Sequence, residues 1–210
     1  MTDLKDEKLK KFFKDKTKKT LLEIGRKMVA KKGVSALSAR KLAVEANSSV
    51  GMIYNLFGTM DNYIAEQNVL TLTELLNKMK SVVLGNNPFN NLNRYADVLT
   101  SYIEANRNLW YLLYNRQLAA GAQKSTVAEA RVIKKIDVLI GMQAAQLVKG
   151  IGVREKRLTI KVLEMSLFAL SGYLLGFKLN PKSGVNKANL CKILMNTYVA
   201  GLTTLKGGDR

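Results

Sequence analysis

Apolar residues recur at helical spacing along almost the whole chain. No stretch of four to eight residues alternates convincingly as a strand would. Only two prolines interrupt the pattern. Together these features predict an all-α protein. The apolar fraction, 47% of 210 residues, supplies a real core for one large domain or two small ones.

The most specific stretch runs from Ser38 to Phe57, SARKLAVEANSSVGMIYNLF. Ser38 can cap a first short helix in which Leu42, Ala43 and Ala46 share a face. Asn47-Ser48-Ser49 is a polar turn, because such side chains compete with helical backbone bonds. Ser49 can cap a second helix, Val50 to Leu56, with Ile53, Leu56 and Phe57 inward and Gly58 as its stop. Helix, tight turn and helix make a helix-turn-helix, whose second helix is the right size for a DNA major groove.

Other helices follow from the same spacing. One covers 17–32, with Leu21, Ile24, Gly25 and Met28 on one face and Gly33 closing it. A long one runs from a Thr59 cap to about Leu84, before an Asn86-Asn87-Pro88 turn. Further helices span 92–106, 109–118, 125–149, 154–179 and 186–206, with breaks at Ala120-Gly121, Gly150-Ile151-Gly152 and Asn180 to Gly184. The stretch 154–179 is apolar nearly all round in its second half, so it needs two burying surfaces. One is the domain core; a second subunit could supply the other. Gly172 and Gly176 would admit a partner helix, with Leu167, Leu175, Leu194, Tyr198 and Leu202 completing a dimer interface of two C-terminal helices from each copy.

The net charge is +18. Folding needs no such excess, and an anionic partner, nucleic acid ahead of a membrane surface, accounts for it. A lysine-rich compositional bias is the bland alternative. Residues 1–58 carry 14 basic and 6 acidic residues, a net +8, more than twice the density of the remainder. Residues 1–16 hold Lys5, Lys8, Lys10, Lys11, Lys14 and Lys16. They predict a mobile or partly helical basic arm, able to reach phosphates or a minor groove, or else a solvated tail.

The chain has no histidine, so the usual general base near neutral pH and the commonest zinc ligand are missing. It carries no phosphate-binding glycine loop, nucleophile elbow or metal-ligand spacing, and Asp97 and Glu104 are ordinary helix acids. An enzyme is not expected, nor a metal or other cofactor. The single cysteine, Cys191, excludes an internal disulfide, fits a reducing cytoplasm and reads as a small buried hydrophobe. The N-terminus lacks the apolar core of a signal peptide. The longest apolar run, Met165 to Phe177, reads as too short to span a bilayer.

The stretch Lys19 to Ile64, about a fifth of the chain, resembles the N-terminal domain of the tetracycline-repressor (TetR) family. The matching residues are Lys31-Lys32-Gly33, Leu42-Ala43 with Ala46, and Gly51, Ile53, Tyr54 and Phe57. Three positions depart from the family pattern: Asn47 replaces a usual glycine, Val50 a polar residue and Met60 a lysine that meets phosphate. The resemblance implies three domains: the arm at 1–16, a three-helix DNA-binding domain with the helix-turn-helix at 17–64, and a larger helical ligand-binding and dimerisation domain at 65–210. It implies a homodimeric, cytoplasmic transcriptional regulator, usually a repressor released by a small-molecule effector. A basic nucleoid-type binder with little sequence preference is the alternative.

By the same resemblance Tyr54 meets a phosphate and Gly51 lets the helix backbone approach DNA. Ser38, Arg40 and Lys41 are phosphate or base-edge candidates. Ser49 and Asn55 can hydrogen-bond bases or phosphates, while Val50 and Met52 suit thymine methyls. Tyr102, Trp110, Tyr114, Met142, Gln146 and Phe168 are the residues expected in an effector pocket.

Overall fold

The computed structural model describes residues 2–119, 125–150, 152–176 and 187–207. The expected breaks at Ala120-Gly121 and Asn180 to Gly184, Ile151, and the Leu202 side chain lie outside the described residues. Among the described residues the chain is helical and contains no strand: α1 (Thr2–Lys32), a 3-10 turn (Val34–Ala36), α2 (Ala39–Glu45), α3 (Val50–Phe57), α4 (Met60–Lys80), α5 (Pro88–Ala105), α6 (Arg107–Ala119), α7 (Val127–Leu147), α8 (Val153–Leu175) and α9 (Lys187–Gly207). These form two compact units. The first holds Met1–Thr71 with Asn106–Glu129, and the second Leu72–Ala105 with Ala130–Arg210.

In the first unit, Leu21, Leu22, Met28, Leu42, Ala43, Ile53, Phe57 and Tyr63 form one buried cluster. These are the faces that the spacing of α1, α2 and α3 predicts. Val29 packs on Leu109 and Leu112, which brings α6 against the C-terminal half of α1. α4 is fixed to α1 by polar side chains that reach backbone carbonyls. The Tyr63 hydroxyl donates to Leu21 O at 2.9 Å, and Gln67 Nε2 donates to Leu22 O and to the Tyr63 hydroxyl. Burial pushes the Tyr63 hydroxyl up to about 12, with the Gln67 bond acting the other way. α1 itself runs unbroken through residue 16, so the segment expected as an arm is part of a 31-residue helix.

A buried ion pair closes the far end of this unit. Glu129, 1% exposed, accepts from Arg116 at 2.7 Å, from Asn68, and from the backbone and hydroxyl of Thr126. Burial works to raise this carboxyl. The four partner groups outweigh it and hold Glu129 below the usual carboxylate range.

In the second unit α5, α8 and α9 pack on one another. The long helix expected to reach Leu84 stops at Lys80. The chain then turns, because Asn91 grips Gly85 through both its N–H and its carbonyl, and also donates to Gln143. Asn87 caps α5 by accepting from Phe89 N and Asn90 N. On α8, Leu163, Leu167, Leu170 and Leu174 are buried, while Leu158, Val162, Met165 and Phe168 are exposed. The two sets are at helical spacing on opposite sides. That two-sidedness makes Arg154–Leu175 long and apolar enough to cross a membrane, which the unbroken run alone had not suggested. Its buried leucines are nevertheless core of this unit. Cys191 is buried, and burial with the nearby Asp97 pushes its thiol up to about 11, as an inert core cysteine requires.

Candidate nucleic-acid interface

The helix-turn-helix is set by its two serines and one asparagine. Ser38 Oγ accepts from Lys41 N at 3.3 Å and caps α2, and Ser49 Oγ accepts from Met52 N at 3.1 Å and caps α3. Between them Asn47 adopts φ 47°, the left-handed conformation that a glycine would take freely. Gly58, at φ 76°, ends α3. Thr59 then caps α4 by accepting from Asn62 N, while Asn62 Nδ2 donates to Phe57 O.

This local geometry divides α3 into two sides. Ile53 and Phe57 enter the core. Gly51, Met52, Tyr54 and Asn55 form the exposed side, with Met52 42% and Tyr54 46% accessible. An outward edge with a bare backbone position, a phenol, an amide and a thioether can meet phosphate, a base edge and a thymine methyl. Arg40 and Lys41 are exposed on α2 and Ser38 is half-buried. Ser38 and Ser49 use their oxygens as acceptors in capping, a geometry in which a hydroxyl can still donate its hydrogen. Lys41 Nζ donates to Ser35 O at 2.9 Å, which ties it to the turn before α2.

Two apolar positions of this region pack partly inward. Val50 is half-buried, with part of its side chain packed against the core cluster. Met60, where the family pattern has lysine, also packs against that cluster. The sequence reading missed Lys18. Its ammonium pairs with Glu66 at 2.5 Å and lies 5.1 Å from the centre of the Phe57 ring, bracing α1 to the end of α3.

The second unit contains a small apolar cavity of about 30 Å³, bounded by Leu75, Met79, Leu92, Tyr95, Ala96, Leu99, Ile136, Ile140, Leu163, Leu167 and Met195. It has room for about one water molecule. None of the six residues expected in an effector pocket lines it. Tyr102 is buried elsewhere in this unit and donates its hydroxyl to Glu74. Trp110 and Tyr114 are buried in the first unit. Met142, Gln146 and Phe168 point outward from α7 and α8. The cavity belongs instead to the inward apolar faces of α4, α5, α7, α8 and α9, which spacing marks as core without saying where packing is incomplete.

The expected dimer residues lie at different depths within a single copy. Leu167 lines the cavity, and Gly172 and Leu175 are buried within the unit. Leu194 and Tyr198 are half-buried. Gly176 is exposed at φ 104° and ends α8. On α8 and α9 the large apolar residues that face outward are Leu158, Val162, Met165, Phe168 and Ile193.

No protein-family model matches this sequence, and no curated protein matches it. Solved structures do. A TetR-like transcriptional regulator from Rhodococcus sp. RHA1 is 18% identical over 89% of this chain and 96% of its own, with a TM-score of 0.59. A second transcriptional regulator from the same organism is 19% identical over 91% and 96%, with a TM-score of 0.62. The TetR-family regulator PfmR from Thermus thermophilus is 16% identical over 90% and 98%, with a TM-score of 0.53. The likeness spans nearly the whole of each chain, and the fold described above is therefore the fold of TetR-family transcriptional regulators.

Proposed function

We propose that this chain is a DNA-binding transcriptional regulator that acts as a homodimer on a palindromic operator, most simply as a repressor. The observation that carries the reading is the outward edge of α3, Gly51, Met52, Tyr54 and Asn55, on a helix capped by Ser49 within the more strongly basic part of the chain. Arg40 on α2 adds a cation that can reach phosphate or guanine. The exposed α8 stripe, Leu158, Val162, Met165 and Phe168, supports pairing of two copies, because apolar rows of this length are covered in soluble assemblies.

An effector enters this reading through the second unit. The cavity between α4, α5, α7, α8 and α9 is apolar except for Tyr95, so it suits a lipophilic molecule, and its small volume means that binding must part these helices. A coupling of about 1–3 kcal/mol to the spacing of two reading heads is enough for release. Selection of bound duplexes from a random pool tests the whole reading. Enrichment of an inverted repeat is expected, and a pool that stays random removes operator recognition. The charge outside residues 1–58, a net +10, favours one second reading, a nucleoid-type binder. Competition with random DNA that abolishes all preference would select it.

A further inference from the structure

The first half of α1 is unaccounted for by the reading head. Every described side chain from Glu7 to Thr17 is exposed, and among the described residues Lys18 is the first with a partner outside α1 itself, Glu66. Residues 2–17 of this helix extend about 24 Å at 1.5 Å per residue, the length of about seven base-pair steps. Lys10, Lys11 and Lys14 lie on one side of it. Leu9, Phe12 and Phe13 lie on the opposite side, with the two rings edge to face at 5.9 Å. Among the described residues no ion pair engages these three lysines.

Its direction is fixed by α4. Successive α4 residues Tyr63, Gln67 and Thr71 bond to Leu21, Leu22 and Arg26 in ascending order. The two helices therefore run side by side in the same sense. The extension leaves the unit at the end where α3 finishes and α4 starts, as the contact of Lys18 with Phe57 also requires. That end presents the positive pole of α4.

We propose that residues 8–16 of α1 form a second, sequence-independent DNA contact that lies along the phosphates beside the half-site read by α3. This rests on the DNA-binding reading above and extends it. A helix about 10 Å wide does not enter a minor groove about 6 Å wide, so the contact is to the backbone and not the groove penetration an unfolded arm allows. Duplex DNA fits better than a lipid surface. Lys10, Lys11 and Lys14 face away from Leu9, Phe12 and Phe13, so a bilayer accepting the apolar side would leave them in water.

The test is the salt dependence of binding by the full chain, on a selected operator and on a long random duplex. K10Q/K11Q/K14Q should make the log–log slope shallower by about 0.9 for each lysine that meets phosphate, so by up to about 2.7 per chain. The ratio of operator to random affinity should not change. A slope equal to that of the unsubstituted chain, while Tyr54→Ala still weakens binding, overturns the extension and leaves the reading head standing. A chain that binds no duplex at low salt overturns both. Mixed phosphatidylglycerol–phosphatidylcholine vesicles provide the last arm. Vesicle binding lost in L9S/F12S/F13S, with the DNA slope untouched by the lysine changes, would assign the helix to lipid and overturn the proposal.

Discussion

A Cβ added to Gly25 would sit 1.8 Å from the Tyr63 hydroxyl oxygen. That oxygen cannot withdraw without breaking its bond to Leu21 O and the bond it accepts from Gln67. Glycine is therefore what lets α4 approach α1 closely enough for α4 side chains to reach α1 carbonyls. Gly25→Ala should destabilise the protein by at least about 1–3 kcal/mol, the usual cost of overpacking, and the lost hydrogen bonds add to it. Thermal or urea unfolding of the two proteins measures this. A stability unchanged within error would mean that Tyr63 has another comfortable position. Tyr63→Phe with Gly25→Ala should recover part of the loss, because the clashing oxygen is gone.

Glu129 gives the first unit an acid sensitivity with a definite sign. Its folded pKa lies below the ordinary value of 4.5 despite burial, since Thr126, Asn68 and Arg116 all favour the charged form. The stabilisation is fully present above about 4.5 and disappears as pH falls through the lower folded value. Unfolding free energy should decline over that acidic window. Glu129→Gln should be less stable at neutral pH and should show a flatter decline. Glu129→Ala should cost about 3–5 kcal/mol, because the Arg116 cation and the Asn68 amide lose their partner. Stability curves against pH for the three proteins check this. A Glu129→Gln curve parallel to that of the unsubstituted chain would assign the acid response to other carboxylates.

The two polar residues on the outward edge of α3 should fail differently. Tyr54→Ala should weaken binding to operator and random duplex by a similar factor, because a phosphate contact carries little base information. Asn55→Ala should alter preference at one position of each half-site and cost about 1–3 kcal/mol there. Binding to an operator panel with single-base changes separates them. Selective loss at the operator alone would remove Tyr54 from the backbone contacts, and an unchanged profile would remove Asn55 from the readout.

These contrasts reflect what a linear sequence encodes. Helix identity and the inward faces of α1, α2 and α3 were legible because they depend on local spacing and caps: Leu42, Ile53 and Phe57 are buried where the spacing puts them, and Ser38 and Ser49 cap. Asn47 at φ 47° was legible as a substitute for glycine. The half-burial of Val50 was not legible, because a first-turn residue of an eight-residue helix sits on the border between its two sides and packing decides how far it turns in. The pocket residues could not be read, since a cavity is a shortfall in packing between helices distant in sequence. Tyr102 looks like a pocket aromatic, but its partner Glu74 is on another helix. α1 through residue 16 was also obscured, because its lysines mask a helix whose first half contributes nothing to the core.

The proposed dimer contact on the α8 stripe can be tested apart from folding. Val162 and Met165 are 54% and 63% exposed, whereas Leu163 and Leu167 on the other side are buried. V162K/M165K should leave each copy folded, because neither side chain contributes to the core of its own unit. It should convert a dimer to monomers, since two lysines from each copy would be desolvated across a symmetric contact. Leu163→Ala should do the reverse, costing about 2–5 kcal/mol of folding stability through a lost core side chain while leaving association of the folded fraction intact. Sedimentation or light scattering, run beside thermal unfolding, reads both quantities. Operator affinity gives a third readout: the double lysine variant should lose the gain from binding two half-sites at once while keeping single-half-site binding. A V162K/M165K protein that remains dimeric would place the contact on another surface, and one that is unfolded would show that the stripe is covered within a single copy.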